Sequence, residues 1–332
     1  ARGIFIMALY DPFGRSINYL RLSVTDRCNL RCIYCMPASG VHAVRHADVL
    51  SFEELLTVSR AAVAVGVEKI RVTGGEPLVR KGIIPFLAEL ATTPGLKRLV
   101  LTTNGILLPE MAAELRCAGV ESLNISLDSL QPDTFDSITR GGNILKVLEG
   151  IKAAEEAGFK RIKINMVVIR GVNDHEVADF AALTLKRPYH IRFIEYMPTL
   201  RDDSWKTRTI SGSEILGNLA LRYTLQPESK AAMDGPASYY RIAGAVGRVG
   251  VITPVSCHFC NECNRIRVTS TGIAKSCLFA TETHDLKPYI HAGDDQALRD
   301  ALRYVVTTKP EHHAIAERAQ KNITLPMSQV GG

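Results

Sequence analysis

The stretch Asp26-Arg27-Cys28-Asn29-Leu30-Arg31-Cys32-Ile33-Tyr34-Cys35 sets three thiols at Cys-x3-Cys-x2-Cys spacing, with no fourth cysteine or histidine at zinc-like spacing beside them. A structural zinc site takes four ligands. Three thiolates on one tight loop suit a 4Fe-4S cluster that keeps one iron open to an exogenous ligand, whereas ordinary ferredoxin clusters take four cysteines. An open iron is a catalytic feature.

A second group, Cys257-His258-Phe259-Cys260-Asn261-Glu262-Cys263-Asn264-Arg265-Ile266-Arg267, is followed by Cys277, with 13 residues between Cys263 and Cys277. Taken alone, Cys257, Cys260, Cys263 and Cys277 read as a four-thiolate zinc site. Beside the first triplet, a second redox cluster is the stronger reading. Of the eight cysteines only Cys117 stands apart, on a helix-like run ending at Gly119, and it reads as a small buried hydrophobe.

Arg265 and Arg267 flank Ile266, so on a strand their guanidinium groups share one face and form a fork suited to phosphate oxygens. The net charge of +6 is modest for 332 residues and spread along the chain, which favours a small anionic ligand over a nucleic-acid duplex. No Walker-type glycine loop is present, so a polyphosphate would be held by side chains.

The elements that must position these residues alternate short strands with longer helix-like stretches between residues 19 and 197. Six strands are expected, at 19–24, 69–73, 98–102, 122–127, 161–169 and 190–194. Ser51 with Glu54 makes a capping box ahead of one helix, and Gly66 is its expected stop. Six βα units imply an incomplete TIM-like barrel, (β/α)6, with an open side where a second domain or a large substrate could enter.

Alternate residues on a strand face opposite ways. Arg21, Ser23 and Thr25 oppose Leu20, Leu22 and Val24, while Lys69, Arg71 and Thr73 oppose Ile70 and Val72. Likewise Asn124 and Ser126 oppose Leu123 and Ile125, and Lys163 and Asn165 oppose Ile162 and Ile164. Closed barrels fill their interiors with branched apolar side chains, so this polar face reads as a ligand cavity that gathers Arg21, Arg71, Thr102 and Lys163, with Lys69 and Arg192 as further candidates. A sheet with one solvated face is the plainer alternative. Arg192 and Met197 have opposite parity, so both reach the cavity only if the strand ends or bulges between them.

Beyond Pro198 the pattern changes to a Trp-containing polar segment, a helix at 213–221, short strands at 237–242, 248–253, 264–269 and 273–278, and an amphipathic helix at 295–307. These read as a smaller C-terminal domain, dividing the chain into 1–198 and 199–332. With 46% hydrophobic and 22% charged residues the composition is that of a globular protein. The apolar run at 4–10 is too short to cross a membrane and lacks signal-peptide features, so a cytoplasmic enzyme without a membrane or nucleic-acid partner is expected.

The Cys28, Cys32, Cys35 triplet with Tyr34 before its last thiol, and the Thr73-Gly74-Gly75-Glu76-Pro77 run after the second strand, resemble the radical S-adenosylmethionine superfamily. The Cys260, Cys263, Cys277 set and the stretch Cys260-Asn261-Glu262-Cys263-Asn264-Arg265-Ile266-Arg267 resemble its GTP 3′,8-cyclase family. The resemblance implies two 4Fe-4S clusters, on Cys28, Cys32 and Cys35 and on Cys260, Cys263 and Cys277. It implies S-adenosylmethionine at Tyr34, Gly75, Ser126 and Met197, and GTP at Arg21, Arg71, Thr102, Lys163, Arg265, Ile266 and Arg267. A double-glycine end that reaches the active site is a further family property, so Gly331 and Gly332 join Arg265 and Arg267 as catalytic candidates. The implied activity is a lyase reaction that opens molybdenum-cofactor synthesis. Its product would pass to a cyclic pyranopterin monophosphate synthase, an electron-donor protein would serve it, and the enzyme would be a monomer or homodimer. Another two-cluster radical enzyme, acting on a peptide or a different nucleotide, is the alternative.

Overall fold

The structure, a computed structural model, describes residues 8–41, 44–199, 205–230, 234–313, 315 and 327–330. Six βα units come first: β1 (Tyr19–Ser23), α1 (Phe52–Ala64), β2 (Lys69–Thr73), α2 (Ile83–Ala91), β3 (Arg98–Thr103), α3 (Leu108–Cys117), β4 (Ser122–Ser126), α4 (Pro132–Thr139), α5 (Ile144–Glu156), β5 (Ile162–Val168), α6 (Val177–Lys186) and β6 (His190–Glu195). The α1 capping box forms as its sequence dictates: Ser51 Oγ accepts from the Glu54 amide while the Glu54 carboxylate accepts from the Ser51 amide.

Strands β1 to β6 lie side by side and parallel. Their apolar parity, including Leu20, Leu22, Ile70, Val72, Leu101, Leu123, Ile125 and Ile164, packs into one core cluster with the helices. Each such side chain contributes about 1.5–3 kcal/mol through burial. That packing leaves the polar parity on the concave side, as the alternation requires.

The second part contains α7 (Trp205–Arg208), α8 (Gly212–Ala220), β7 (Leu225–Glu228), β8 (Ser238–Ile242), β9 (Arg248–Ile252), β10 (Arg265–Val268), β11 (Ile273–Lys275), β12 (His284–Asp285), α9 (Lys287–His291) and α10 (Asp295–Thr307). It is more integrated than its sequence suggests. β9 pairs parallel with β6, and β10 pairs parallel with β1, so eight parallel strands run in the order β10-β1-β2-β3-β4-β5-β6-β9. Both edges of a six-stranded sheet carry unpaired backbone groups, and these two strands satisfy them. β7, which carries Pro227, sits at the outer edge of the sheet, where a missing N–H costs least. β11 stops at Lys275 because the chain turns at Ser276 to bring Cys277 to the site.

Candidate active site

One cavity is lined by both cysteine triads: Cys28, Cys32 and Cys35, beyond the C-terminal end of β1, and Cys260 and Cys263, just before β10, with Cys277 just after β11. Its empty volume, mouth included, is about 1820 Å³.

The first triad sits on the loop after β1. Burial pushes the Cys28 thiol up to about 11 and the Cys35 thiol up to about 12, and it raises Cys32 well above its ordinary value, with Cys28 and Cys35 adding to the rise at Cys32 and Cys28 to that at Cys35. Deprotonation of all three therefore needs a compensating cation, which suits an iron core. The Cys28 sulfur accepts from the Leu30 amide at 3.4 Å and from Asn104 Nδ2 at 3.9 Å.

Gly74 and Gly75 close under this loop. A Cβ on Gly74 would lie 2.6 Å from the Thr25 carbonyl oxygen, and one on Gly75 would collide with the backbone of Arg27. The Gly75 amide donates to Thr25 O at 2.8 Å, and the Glu76 amide to Arg27 O at 2.8 Å. The buried Glu76 carboxylate accepts from Thr103 Oγ1, Asn104 N and Leu78 N at 2.8, 2.6 and 3.1 Å. Burial nevertheless lifts Glu76 to about 7.

Tyr34 donates through its hydroxyl to Asp128 Oδ2 at 2.7 Å, and Asp128 Oδ1 accepts from the Val167 amide at 2.9 Å. The Asp128 carboxyl is lifted to about 6 by burial. Ser126 and Met197 also line the cavity. β6 ends at Glu195, so both Arg192 and Met197 face inward despite their opposite parity.

In the second triad, Arg265 reaches Cys263 Sγ at 3.8 Å, and its guanidinium lies 5.0 Å above the Phe259 ring. Burial works against ionisation of Cys263, yet Arg265 and Lys309 bring it down to about 6. Glu195, fully buried at the end of β6, accepts from the Val255 and Ser256 amides at 2.9 Å, from the Ser256 hydroxyl, and from the Gly212 amide at 2.7 Å. It ties the barrel to the loop that leads into the second triad. Cys257 is exposed and lies outside the cavity lining, with its carbonyl accepting from Thr253 Oγ1 at 2.6 Å. Cys117, expected to be buried, is exposed at the end of α3.

The polar strand faces supply a cationic wall. Arg21, Arg71, Arg192, Arg265 and Arg267 line the cavity with Thr102 and Asn165. Lys69 and Lys163 lie two residues deeper on the same faces as Arg71 and Asn165, buried and outside the lining. Lys69 Nζ sits 4.4 Å over the Tyr19 ring, and Lys163 Nζ lies 3.9 Å from Asp234 Oδ1. Among the described residues, Thr102 Oγ1, Asn165 Oδ1, Arg71 Nε, Arg192 Nε and the Tyr19 hydroxyl are buried without a hydrogen-bond partner. Arg192 keeps one bond, to Asn124 Oδ1 at 2.6 Å. Orphaned donors on buried cations mark a site shaped for an anion.

The Ile266 side chain is wholly buried in the apolar core on the opposite face of β10, because it alternates with Arg265 and Arg267. Only its backbone can face a ligand. Gly331 and Gly332 lie outside the described residues, but the helical turn Met327–Val330 enters the site. Met327 N donates to Cys35 O at 3.2 Å, and Val330 O accepts from Arg267 Nη1 at 3.3 Å.

Sequence reasoning missed Tyr19, Asp128, Glu195, Asp234 and Lys309, whereas the polar parity of β5 had already turned Asn165 toward the cavity. The others act through contacts distant in sequence.

Residues 22–184 match the profile of the Radical SAM superfamily, and residues 189–315 match the profile named Molybdenum Cofactor Synthesis C. The chain is 60% identical over 326 residues to a GTP 3′,8-cyclase of Geobacter sulfurreducens, covering 98% of this chain and 100% of the relative. It is 46% identical to a GTP 3′,8-cyclase of Peptoclostridium acidaminophilum, covering 98% of each. Its fold is similar to that of Streptococcus suis SuiB bound to S-adenosylmethionine, with a TM-score of 0.58, 14% identity, and coverage of 86% of this chain and 68% of that one. Two cysteine triads around one cation-walled cavity, on a chain so similar to these relatives, place the protein in the GTP 3′,8-cyclase family of the radical SAM superfamily.

Proposed function

We propose that this enzyme converts GTP into (8S)-3′,8-cyclo-7,8-dihydroguanosine 5′-triphosphate, the first step of molybdenum-cofactor synthesis, with S-adenosylmethionine and two 4Fe-4S clusters. The two triads lining one cavity support this most directly. Cys28, Cys32 and Cys35 would hold the first cluster, and Cys260, Cys263 and Cys277 the second. Bound there, the clusters and S-adenosylmethionine supply one-electron chemistry and hydrogen abstraction at the ribose.

The chain's own residues bind, orient and shield. Tyr34, held by Asp128, would edge the S-adenosylmethionine site with Ser126 and Met197. Gly75, whose missing Cβ lets the first-triad loop close onto its backbone, would lie beside it. Arg21, Arg71 and Arg192 would hold the triphosphate, with Lys69 and Lys163 adding positive charge from behind the lining and Thr102 donating its hydroxyl. Arg265, Arg267 and the main chain of Ile266 would keep the guanosine against the second triad, where the tail through Val330 excludes water. One hydrogen atom leaves C3′, the C3′–C8 bond forms, and one electron and one proton return, so the product has the mass of GTP.

In this reading residues 1–198 carry the first cluster and residues 199–332 the second. The enzyme works in the cytoplasm, as a monomer or homodimer, with an electron-donor protein upstream and a cyclic pyranopterin monophosphate synthase downstream. No membrane or nucleic acid takes part. Among the described residues no helix is long and apolar enough to cross a membrane.

The deciding experiment is anaerobic reconstitution and reduction, followed by addition of S-adenosylmethionine with GTP or ATP. Formation of 5′-deoxyadenosine together with a cyclised product of unchanged mass, from GTP only, is expected. Cofactor cleavage without nucleotide consumption would remove the substrate assignment.

A further inference from the structure

Lys309, just beyond α10, is 3% exposed and lies between the two chain segments that carry Cys263 and Cys277. Its ammonium donates to Arg265 O at 2.8 Å and to Ser276 O at 2.7 Å. Arg265 is two residues past Cys263, and Ser276 immediately precedes Cys277. Among the described residues no carboxylate pairs with this ammonium. A buried, unneutralised ammonium costs several kcal/mol, and the negative charge that can offset it is that of the Cys263 and Cys277 sulfurs as thiolates.

Arg15 provides the contrast. It pins the same region, donating to Cys260 O at 2.8 Å, Glu311 O at 2.9 Å and Pro310 O at 2.7 Å. Its charge, however, is balanced by an ion pair with Asp11. Arg265 touches the Cys263 sulfur directly, and of the two cations that pin the triad through main-chain carbonyls, Arg15 and Lys309, Lys309 is the one with no carboxylate beside it among the described residues.

We propose that Lys309 is a positioning residue of the second cluster, clamping the Cys263 and Cys277 arms together and raising the reduction potential of the cluster they hold. The inference rests on the two-cluster reading. A 4Fe-4S core on three thiolates gains one negative charge on one-electron reduction, so a fixed cation in a dry wall stabilises the reduced form more than the oxidised one.

The test uses the full chain with Cys28, Cys32 and Cys35 replaced by serine, so that iron reports on the second triad alone. Redox titration followed by electron paramagnetic resonance compares this parent with Lys309→Met, Lys309→Gln, Lys309→Arg and Arg15→Gln. Lys309→Met should lower the reduced-to-oxidised ratio at a set potential about tenfold, a shift of about 59 mV for a one-electron couple. Lys309→Arg and Arg15→Gln should stay near the parent. If Lys309→Met fails to hold iron, Lys309→Gln, which keeps a donor but no charge, decides by the same shift. A parental potential in a neutral variant that holds its iron overturns the proposal and leaves the two-cluster reading standing. A parent that binds no iron overturns both.

Discussion

Arg21 and Arg267 stand opposite each other on adjacent parallel strands, both buried, although they come from opposite ends of the chain. Burial holds the Arg21 guanidinium well below its ordinary range, and Arg267 and Arg71 push it lower still. Arg267 is brought down to about 10 by burial and by Arg265. Like charges at this spacing call for a polyanion between them. Arg21→Met should weaken GTP binding by about 10–150-fold, the worth of about 1.5–3 kcal/mol for a hydrogen bond to a charged group. Inorganic triphosphate should raise the melting temperature of the wild type more than that of the variant. Unchanged affinity in equilibrium dialysis would remove the phosphate role of this pair.

Lys163 makes binding sensitive to pH. Burial, then Arg192, Lys69 and Arg71, bring its ammonium from 10.5 down to about 6, with Asp234 opposing. In the empty site at pH 7.5 it is mostly neutral. A triphosphate beside it favours the charged form, so binding takes up a proton and affinity should fall as pH rises above about 6. Calorimetry in buffers of different ionisation heat should show this uptake, and Lys163→Met should abolish most of it. Buffer-independent heats in the wild type would contradict the assignment.

Gly75→Ala puts a methyl group into the backbone of Arg27, which belongs to the first-triad loop and cannot swing aside. Overpacking of this kind costs about 1–3 kcal/mol. The variant should lose S-adenosylmethionine cleavage while the second triad keeps its iron. Iron content and 5′-deoxyadenosine release together check it, and near-normal cleavage would show that the loop has slack.

Glu76 sets a pH trend in stability. Burial raises its carboxyl from 4.5 to about 7, so the folded state binds the proton more tightly than the unfolded chain does. Its contribution is complete below pH 4.5 and fades as pH rises through 7, by about 3 kcal/mol at most. Denaturant midpoints of the wild type should therefore fall between pH 5 and 7.5 relative to those of Glu76→Gln. Parallel curves would mean that Glu76 stays ionised throughout.

Much of the site was legible because its signals are local. The Cys28, Cys32, Cys35 spacing, the Cys260, Cys263, Cys277 set and the Gly74-Gly75 turn are each contained in short stretches. The strand alternation that turned Arg21, Arg71 and Thr102 toward the cavity is a period-two property of each strand. That same alternation also buries the Ile266 side chain, a consequence the family resemblance concealed.

The sequence by itself determined the two thiol triads, the six βα units and which strand face is polar, since spacing and periodicity are short-range properties. Only the tertiary structure decided that β10 pairs with β1 and β9 with β6, so that both triads share one cavity. It likewise brought Asp128 to Tyr34, Glu195 to the second-triad loop and Lys309 between Cys263 and Cys277. Those relationships depend on which backbone edges and buried charges must find partners once the sheet has formed, and no local pattern encodes that requirement.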